Sequence, residues 1–365
     1  MEDKMGIFNK IVEGFANIFD KKPIIKENTF LLWEPCSKSH SEVLPGFAKY
    51  LIDLGYHVSV LTNSKNFKDG LFCKYKEENI SYNNMSKRQV RKYFKNTDLS
   101  DVKGLLVTTV GKLCDSIHYD DSYSWFNEKA DKSKIYFVEH EIMGSADFGT
   151  WDEKIITLRK MDYKGVKSVV VNPHYFGEIK VLPKNEVTNF VTIGALRGKR
   201  KNTSIIVDAV EELVNKGIAN FKVTVIGKGK INDLPKSLHK YIDIKGRLPF
   251  YKMYEELEKA DFILSAYDED NPAHKRYITT GTSGNFQLVY GFLKPCVIMS
   301  SFAEINDFTN ENSILYENKT EYADAMQRAI QMSKNDYEIM QNNLRETVKI
   351  IYENSKNNLK ERING

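Results

Sequence analysis

The sequence predicts an α/β protein made of two Rossmann-like domains that face each other across a cleft, and three observations predict it. The chain has 365 residues, more than one hydrophobic core usually organises. Short apolar runs fit for buried strands alternate with helical patterns, the mark of parallel sheets. The alternation starts afresh beyond a short linker at 183–188, so two such units account for most of the chain.

Residues 1–27 come first, as a separate segment. Ile7, Phe8, Ile11, Val12, Phe15, Ile18 and Phe19 recur at helical spacing and share one face of an amphipathic helix. Lys4, Lys10, Lys21 and Lys22 suit anionic lipid, while Glu2, Asp3, Glu13 and Asp20 dilute that charge. Residues 5–19 are therefore expected either at a membrane surface or docked on protein.

The first domain, 28–183, opens with FLLWEP from Phe30, an apolar run for a buried strand. The polar loop CSKSHSE follows, then a helical pattern from Val43 to Asp53 closed by Gly55, then the strand HVSVLT. Further strands are expected in GLLVTTV, KIYFVEH and KSVVVNP, and the polar, tyrosine-rich stretch 75–96 has no decided pattern. The second domain, 184–340, repeats the scheme. NFVTIGAL is a strand, Ser204 to Asn215 a helix, FKVTVIGKG a strand ending in glycines and YIDIKGRL a short strand. A helix from Tyr251 to Lys259, the strand ADFILSAY, a helix from Gly284 to Phe292 and the strand KPCVIMS follow. Residues 341–365 are expected to form a helix that packs back toward the first domain.

Composition excludes several classes. A net charge of +4 gives no reason to expect nucleic-acid binding. Cys36, Cys73, Cys114 and Cys296 form no CxxC pair, which argues against a zinc site or a disulfide framework and fits a reducing cytoplasm. No run approaches the roughly 18 apolar residues that span a bilayer, and the N-terminus lacks a signal peptide's apolar core and cleavage site. The expected location is the cytoplasm, at the inner face of the membrane if residues 5–19 bind lipid.

In open parallel sheets ligands sit beyond the carboxyl ends of the strands, so the loops there supply the candidates. RGKRKN places Arg197, Lys199, Arg200 and Lys201 after the first strand of the second domain, a cluster suited to phosphate. Thr282, Ser283, Gly284 and Asn285 stand at a helix mouth, where unpaired N–H groups and the helix dipole favour an anion. The alternative there is an ordinary N-cap. His40 and Glu42 follow the first strand, and His140 and Glu141 follow KIYFVEH, positions suited to acid–base work or to structural loop histidines. His118 has weaker positional support. DEDN, Asp268 to Asn271, reads as a polar loop rather than a metal-binding pair.

The segments FVTIGALRGKRKN, KVTVIGKG, IKGRLPFYKMYEELEKADFILSAY and YGFLKPCVIMSSFAEINDF, in this order, resemble the donor half of a GT-B glycosyltransferase. They are similar in particular to the family 4 group. LLWEP…SHSEVLPGFAKYLIDLGYHVSVLT resembles, more loosely, the acceptor half of bacterial polysaccharide glycosyltransferases. The group's Glu-x7-Glu pair would fall at Thr280 and Leu288, neither acidic, and TSGN stands in its place.

The resemblance implies a hexosyltransferase that moves a sugar from a nucleotide sugar, with a UDP-sugar favoured, to a glycan acceptor in surface polysaccharide synthesis. The acceptor is free or lipid-linked, and no cofactor or metal is required. Retention is the stereochemistry that the group carries, and the missing pair leaves it open. Lys199, Arg200 and Lys201, with Gly227 and with Thr282, Ser283, Gly284 and Asn285 opposite, would hold the donor. His140, His40 and Glu42 would serve the acceptor hydroxyl, with Glu141 on the acceptor side. The alternative is a non-catalytic nucleotide-sugar or glycan-binding partner of a biosynthetic complex.

Overall fold

In the computed structural model, which describes residues 21–37, 39–110, 123–143, 155–161, 164–165, 168–194, 203–231 and 234–365, the apolar runs form two parallel sheets. The first contains β1 (Thr29–Trp33), β2 (His57–Thr62), β3 (Ile80–Asn84), β4 (Gly104–Val110), β5 (Ile135–Glu139), β6 (Ile155–Thr157) and β7 (Val169–Val170). Its order is β3-β2-β1-β4-β5-β6-β7. The second contains β8 (Thr188–Ile193), β9 (Phe221–Ile226), β10 (Ile242–Gly246), β11 (Phe262–Leu264), β12 (Cys296–Met299) and β13 (Ile314–Tyr316), in the order β10-β9-β8-β11-β12-β13. Strand order reverses between β1 and β4 and again between β8 and β11, and each reversal opens a crevice at the strands' carboxyl ends.

The helices of the described residues are α1 (Leu44–Asp53), α2 (Ser64–Lys68), α3 (Lys87–Asn96), α4 (Thr203–Asn215), α5 (Phe250–Lys259), α6 (Gly284–Phe292), α7 (Ser300–Ala303), α8 (Tyr322–Gln331) and α9 (Lys334–Asn364). β1, β4, β5 and β12, buried at every residue, read as near-continuous apolar runs because both faces are covered. Phe30, Leu32, Val58 and Val60 pack toward α1, whereas Leu31, Trp33, Leu61 and Val107 pack with Phe94 and Trp125 on the opposite face.

Several elements differ from the sequence expectation. The stretch 75–96 holds β3 and α3, and α3 starts with a capping box between Ser86 and Gln89. β6 and β13 have three residues each, too few to show alternation, and the strand expected in KSVVVNP shrinks to β7. The linker is anchored: Lys184 is buried and donates to the Thr188 hydroxyl at 3.0 Å and the Ile330 carbonyl at 3.3 Å. The final helix begins at Lys334 rather than at 341. Its Gln341 donates to the Leu293 carbonyl in the second unit, while Asn358 donates to the Val170 carbonyl in the first. Residues 5–19, His118, Lys199, Arg200 and Lys201 lie outside the described residues.

Segment 172–176 runs between the two units, clamped between α1 and α6. A Cβ on Gly46 of α1 would lie 2.4 Å from the Pro173 backbone, and one on Gly291 of α6 would lie 2.3 Å from the His174 carbonyl oxygen. At an exposed helix site Gly→Ala gains about 1 kcal/mol. Here the sign is expected to reverse, with Gly291→Ala destabilising the protein by about 1–3 kcal/mol through overpacking. Denaturant melts check this, and a variant more stable than the parent would mean that the units do not meet this closely.

Candidate active site at the seam between the sheets

The chain leaves β1 through Glu34, makes a 3-10 turn at His40–Val43 and enters α1, which puts His40 and Glu42 at the carboxyl edge of the first sheet. β4 and β5 end beside it and present Thr108, Thr109 and His140. From the other unit, the segment after β11 returns as residues 276–283 and enters α6. The two edges are joined by main-chain bonds: Ile142 N–H donates to the Thr280 carbonyl at 2.9 Å, and Thr282 N–H to the His140 carbonyl at 3.2 Å. Arg276 pairs with Glu141 at 3.2 Å. Arg159 donates through Nε and Nη2 to the Gly281 carbonyl and through Nη2 to the Tyr277 carbonyl.

Between these edges lies a cavity of about 210 Å³. His40, Glu42 and His140 face it from the first unit, and Arg276, Thr282, Ser283, Gly284 and Gln287 from the second. Arg276 Nε, Thr282 Oγ1 and Gln287 Oε1 are buried without a protein partner. A buried polar group without a partner costs about 1–3 kcal/mol, so three such atoms among the described residues, all in side chains that line one small cavity, make it the candidate site. Sequence reasoning missed Arg276 and Gln287. Gln287 lies three residues after Gly284, on the face of α6 that the helix mouth shares. Leu288, one of the two positions where the resemblance expects an acid, is buried in the core instead.

The histidines are neutral, and their tautomers follow from their partners. His140 Nε2 lies 2.8 Å from the Thr108 carbonyl oxygen, which can only accept, so Nε2 carries the hydrogen and Nδ1 keeps its lone pair. Thr108 and Thr109 each donate a hydroxyl to Glu34 Oε2 at 2.6 Å. With its hydrogen so committed, Thr109 Oγ1 accepts from His40 Nδ1–H at 3.2 Å, which leaves the lone pair of His40 on Nε2. The two rings stack with centroids 4.7 Å apart. Burial lowers both pKa values, that of His140 to about 3, with His40 and Arg276 adding to the effect.

Glu34, Cys36 and His40 bring ligating atoms within 4.8 Å of one another. The Glu34 carboxylate, however, already accepts from the N–H groups of Cys36 and Ser37 and from the two threonines, and so serves as a hydrogen-bond hub.

At the helix mouth, Ser283 caps α6 by accepting from Asn285 N–H at 3.4 Å and is hydrogen-bonded to the Tyr267 hydroxyl. Asn285 is buried beside it and does not line the cavity. A Cβ on Gly284 would lie 2.1 Å from Glu42 Oε1, so the glycine makes room for that carboxylate at the positive end of the helix. Burial nonetheless pushes the Glu42 carboxyl up to about 7. Gly227 follows β9, its N–H donating to the Gly246 carbonyl at 2.9 Å, and does not line the cavity. DEDN folds into a turn in which Asp268 accepts from Asp270 N–H.

No family model matches the chain, and no curated protein matches its sequence. Its structure is similar to that of the pneumococcal O-GlcNAc transferase GtfA solved with UDP and GlcNAc, at a TM-score of 0.56 and 10% identity over 93% of this chain and 100% of that one. It is also similar to the T4 phage protein BGT in complex with UDP-glucose, at 0.51 and 11% over 92% and 99%. TarM is similar at 0.50 and 14% over 76% of this chain, which spans 58% of TarM. The fold is GT-B. The candidate site thus occupies the cleft between the two halves of a GT-B protein.

The Glu42 carboxyl gives the site a pH signature. The folded protein holds this proton more tightly than the unfolded chain, so the stabilisation is complete below pH 4.5 and is lost as pH rises through about 7. Glu42→Gln stays neutral throughout. Its stability relative to the parent is expected to improve between pH 5 and pH 8, by up to about 3 kcal/mol. Thermal melts at the two pH values check this, and a gap that does not change with pH would place the Glu42 charge in solvent.

Proposed function

We propose that this protein is a nucleotide-sugar-dependent hexosyltransferase, with a UDP-sugar as donor and a glycan as acceptor. The observation that carries the reading is the seam cavity, which joins a helix mouth, three unpartnered polar atoms and two neutral histidines in the cleft of a GT-B fold. Because that fold serves more than one chemistry, the site rather than the fold bears the argument.

In this reading the diphosphate lies at the mouth of α6, held by Thr282 Oγ1, Arg276 Nε and the first N–H groups of the helix, with Lys199, Arg200 and Lys201 supplying further charge. A fixed cation and a helix dipole offset the charge of the leaving group, so a metal is not required. The acceptor hydroxyl bonds to the anomeric carbon as the bond from that carbon to the diphosphate oxygen breaks. The hydroxyl proton passes to His40 Nε2, whose lowered pKa keeps the lone pair available at neutral pH. His140 Nδ1 orients the sugar, and Glu42 moves aside for the phosphate and shares the acid–base work. Retention is the favoured stereochemistry, and in this single step it requires the acceptor oxygen to approach on the face from which the diphosphate departs.

The acceptor is placed in surface polysaccharide synthesis at the inner face of a membrane. Among the described residues no helix is long and apolar enough to cross a membrane. A surface attachment finds support in α3, which exposes Lys87, Arg88, Arg91, Lys92 and Lys95 and contains no acid, together with the pattern at residues 5–19. The domains are divided at 183 and 184. A second reading, a non-catalytic nucleotide-sugar-binding partner, finds support in the burial of Leu288 where the resemblance expects an acid.

Incubation with a panel of UDP-, GDP- and ADP-sugars tests the reading. Hydrolysis or transfer supports the enzyme, binding without turnover supports the second reading, and no binding sinks both. Thr282→Val removes an unpaired hydroxyl, so folding stability is expected to hold or rise while UDP binds about tenfold more weakly, the loss of one hydrogen bond to a charged group. Calorimetry with UDP measures this, and unchanged affinity would put the diphosphate elsewhere.

A further inference from the structure

Where the chain of the second unit meets the seam, two consecutive peptide groups are hydrogen-bonded at both ends. In the peptide between Thr280 and Gly281, the carbonyl accepts from Ile142 N–H at 2.9 Å and the N–H donates to the Arg276 carbonyl at 2.7 Å. In the next, between Gly281 and Thr282, the N–H donates to the His140 carbonyl at 3.2 Å. Its carbonyl is held by Arg159, which donates to it from Nε at 3.0 Å and from Nη2 at 2.6 Å.

Arg159 belongs to the first unit, two residues beyond β6, and is 5% exposed. Its Nη2 also donates to the Tyr277 carbonyl at 3.0 Å, and its Nη1 to the Lys160 carbonyl. Every one of these acceptors is a main-chain oxygen, and among the described residues no carboxylate pairs with the guanidinium. Burial lowers its pKa to about 10, which leaves it charged at neutral pH. A buried charge held only by neutral groups is a costly way to join two surfaces. What the planar fork adds is direction: two of its N–H groups converge on one carbonyl while the same nitrogen reaches a second carbonyl four residues away.

Direction matters at this peptide because of the residue that follows it. With the oxygen held by Arg159 and the N–H by His140, the plane between Gly281 and Thr282 cannot turn, so the first unit sets how the Thr282 backbone enters the seam. Thr282 lines the seam cavity. Its side chain is β-branched and restricted at χ1, so the aim of its hydroxyl follows its backbone.

We propose that Arg159 is a positioning residue for glycosyl transfer, which orients the Gly281–Thr282 peptide from the first unit and through it aims the Thr282 hydroxyl at the donor's diphosphate. Arg159 does not line the seam cavity, so it acts without touching the ligand. The inference rests on the proposed reading of that cavity as the diphosphate site.

A double-mutant cycle on UDP affinity, measured by calorimetry with the full-length protein, tests it. Arg159→Lys and Arg159→Gln each keep a donor for a carbonyl and lose the fork, and thermal melts report whether each is folded. Both are expected to fold and to bind UDP about tenfold more weakly, the same loss as Thr282→Val, because the same hydrogen bond is disabled. Combined with Thr282→Val, neither is expected to weaken UDP further, whereas an arginine that merely supports the structure would add its loss to that of the threonine. Additive losses, unchanged affinity in a folded Arg159 variant, or failure of both variants to fold would overturn the proposal and leave the diphosphate site standing. A parent that binds no UDP, or a Thr282→Val variant that binds it as the parent does, would remove the reading itself and the proposal with it.

Discussion

Two main-chain hydrogen bonds set the geometry on which the site depends, from Ile142 N–H to the Thr280 carbonyl and from Thr282 N–H to the His140 carbonyl. Backbone groups have no rotamers, so this pair fixes the distance between the two halves of the cleft more tightly than side chains could. His140 and Thr282 are the partners in one of the bonds, and both line the cavity. Arg159 and Arg276 reinforce the join from either side, one on carbonyls and the other on Glu141. The helix mouth therefore faces the histidine pair because the chains that carry them are hydrogen-bonded together.

Burial then decides the chemistry. Taken out of water, both histidines stay neutral and keep a lone pair, and Glu42 is pushed toward neutrality beside a helix end that would welcome its charge. Desolvation outweighs the dipole here, because the dipole supplies only about half a charge and, among the described residues, no side-chain donor to the Glu42 carboxylate accompanies it. In the proposed function a phosphate, carrying more charge and more acceptor oxygens, would use the same N–H groups and the unpaired atoms of Thr282 and Arg276. The site is thus strained in its polar bonding while its backbone is fixed, the condition under which a ligand gains most.

Much of the architecture was legible because long, doubly covered strands read as unbroken apolar runs. β1, β2, β4 and β9 sit where the sequence places them. β6 and β13 were not legible, since three residues carry no period, β7 keeps two residues of the longer strand expected in KSVVVNP, and β3 with α3 lay in a polar stretch whose one signal was the Ser86–Gln89 capping box. At the site, His40, Glu42, His140, Thr282, Ser283 and Gly284 were found from their places after strands and before a helix. Arg276, Gln287 and the Glu34–Thr109 hub were not, because their roles depend on which loops meet across the seam, and that is a tertiary fact. The reason for Gly284 also changed: the space it leaves is filled by Glu42 rather than left open.

The central claim is that the seam cavity receives a nucleoside diphosphate at the mouth of α6. A crystal structure of the protein grown with UDP tests it most directly. The account predicts both phosphates within hydrogen-bond reach of Thr282 Oγ1 and the first N–H groups of α6, with the Glu42 carboxylate moved off Gly284. UDP bound away from α6, with Glu42 still seated against Gly284, would contradict it.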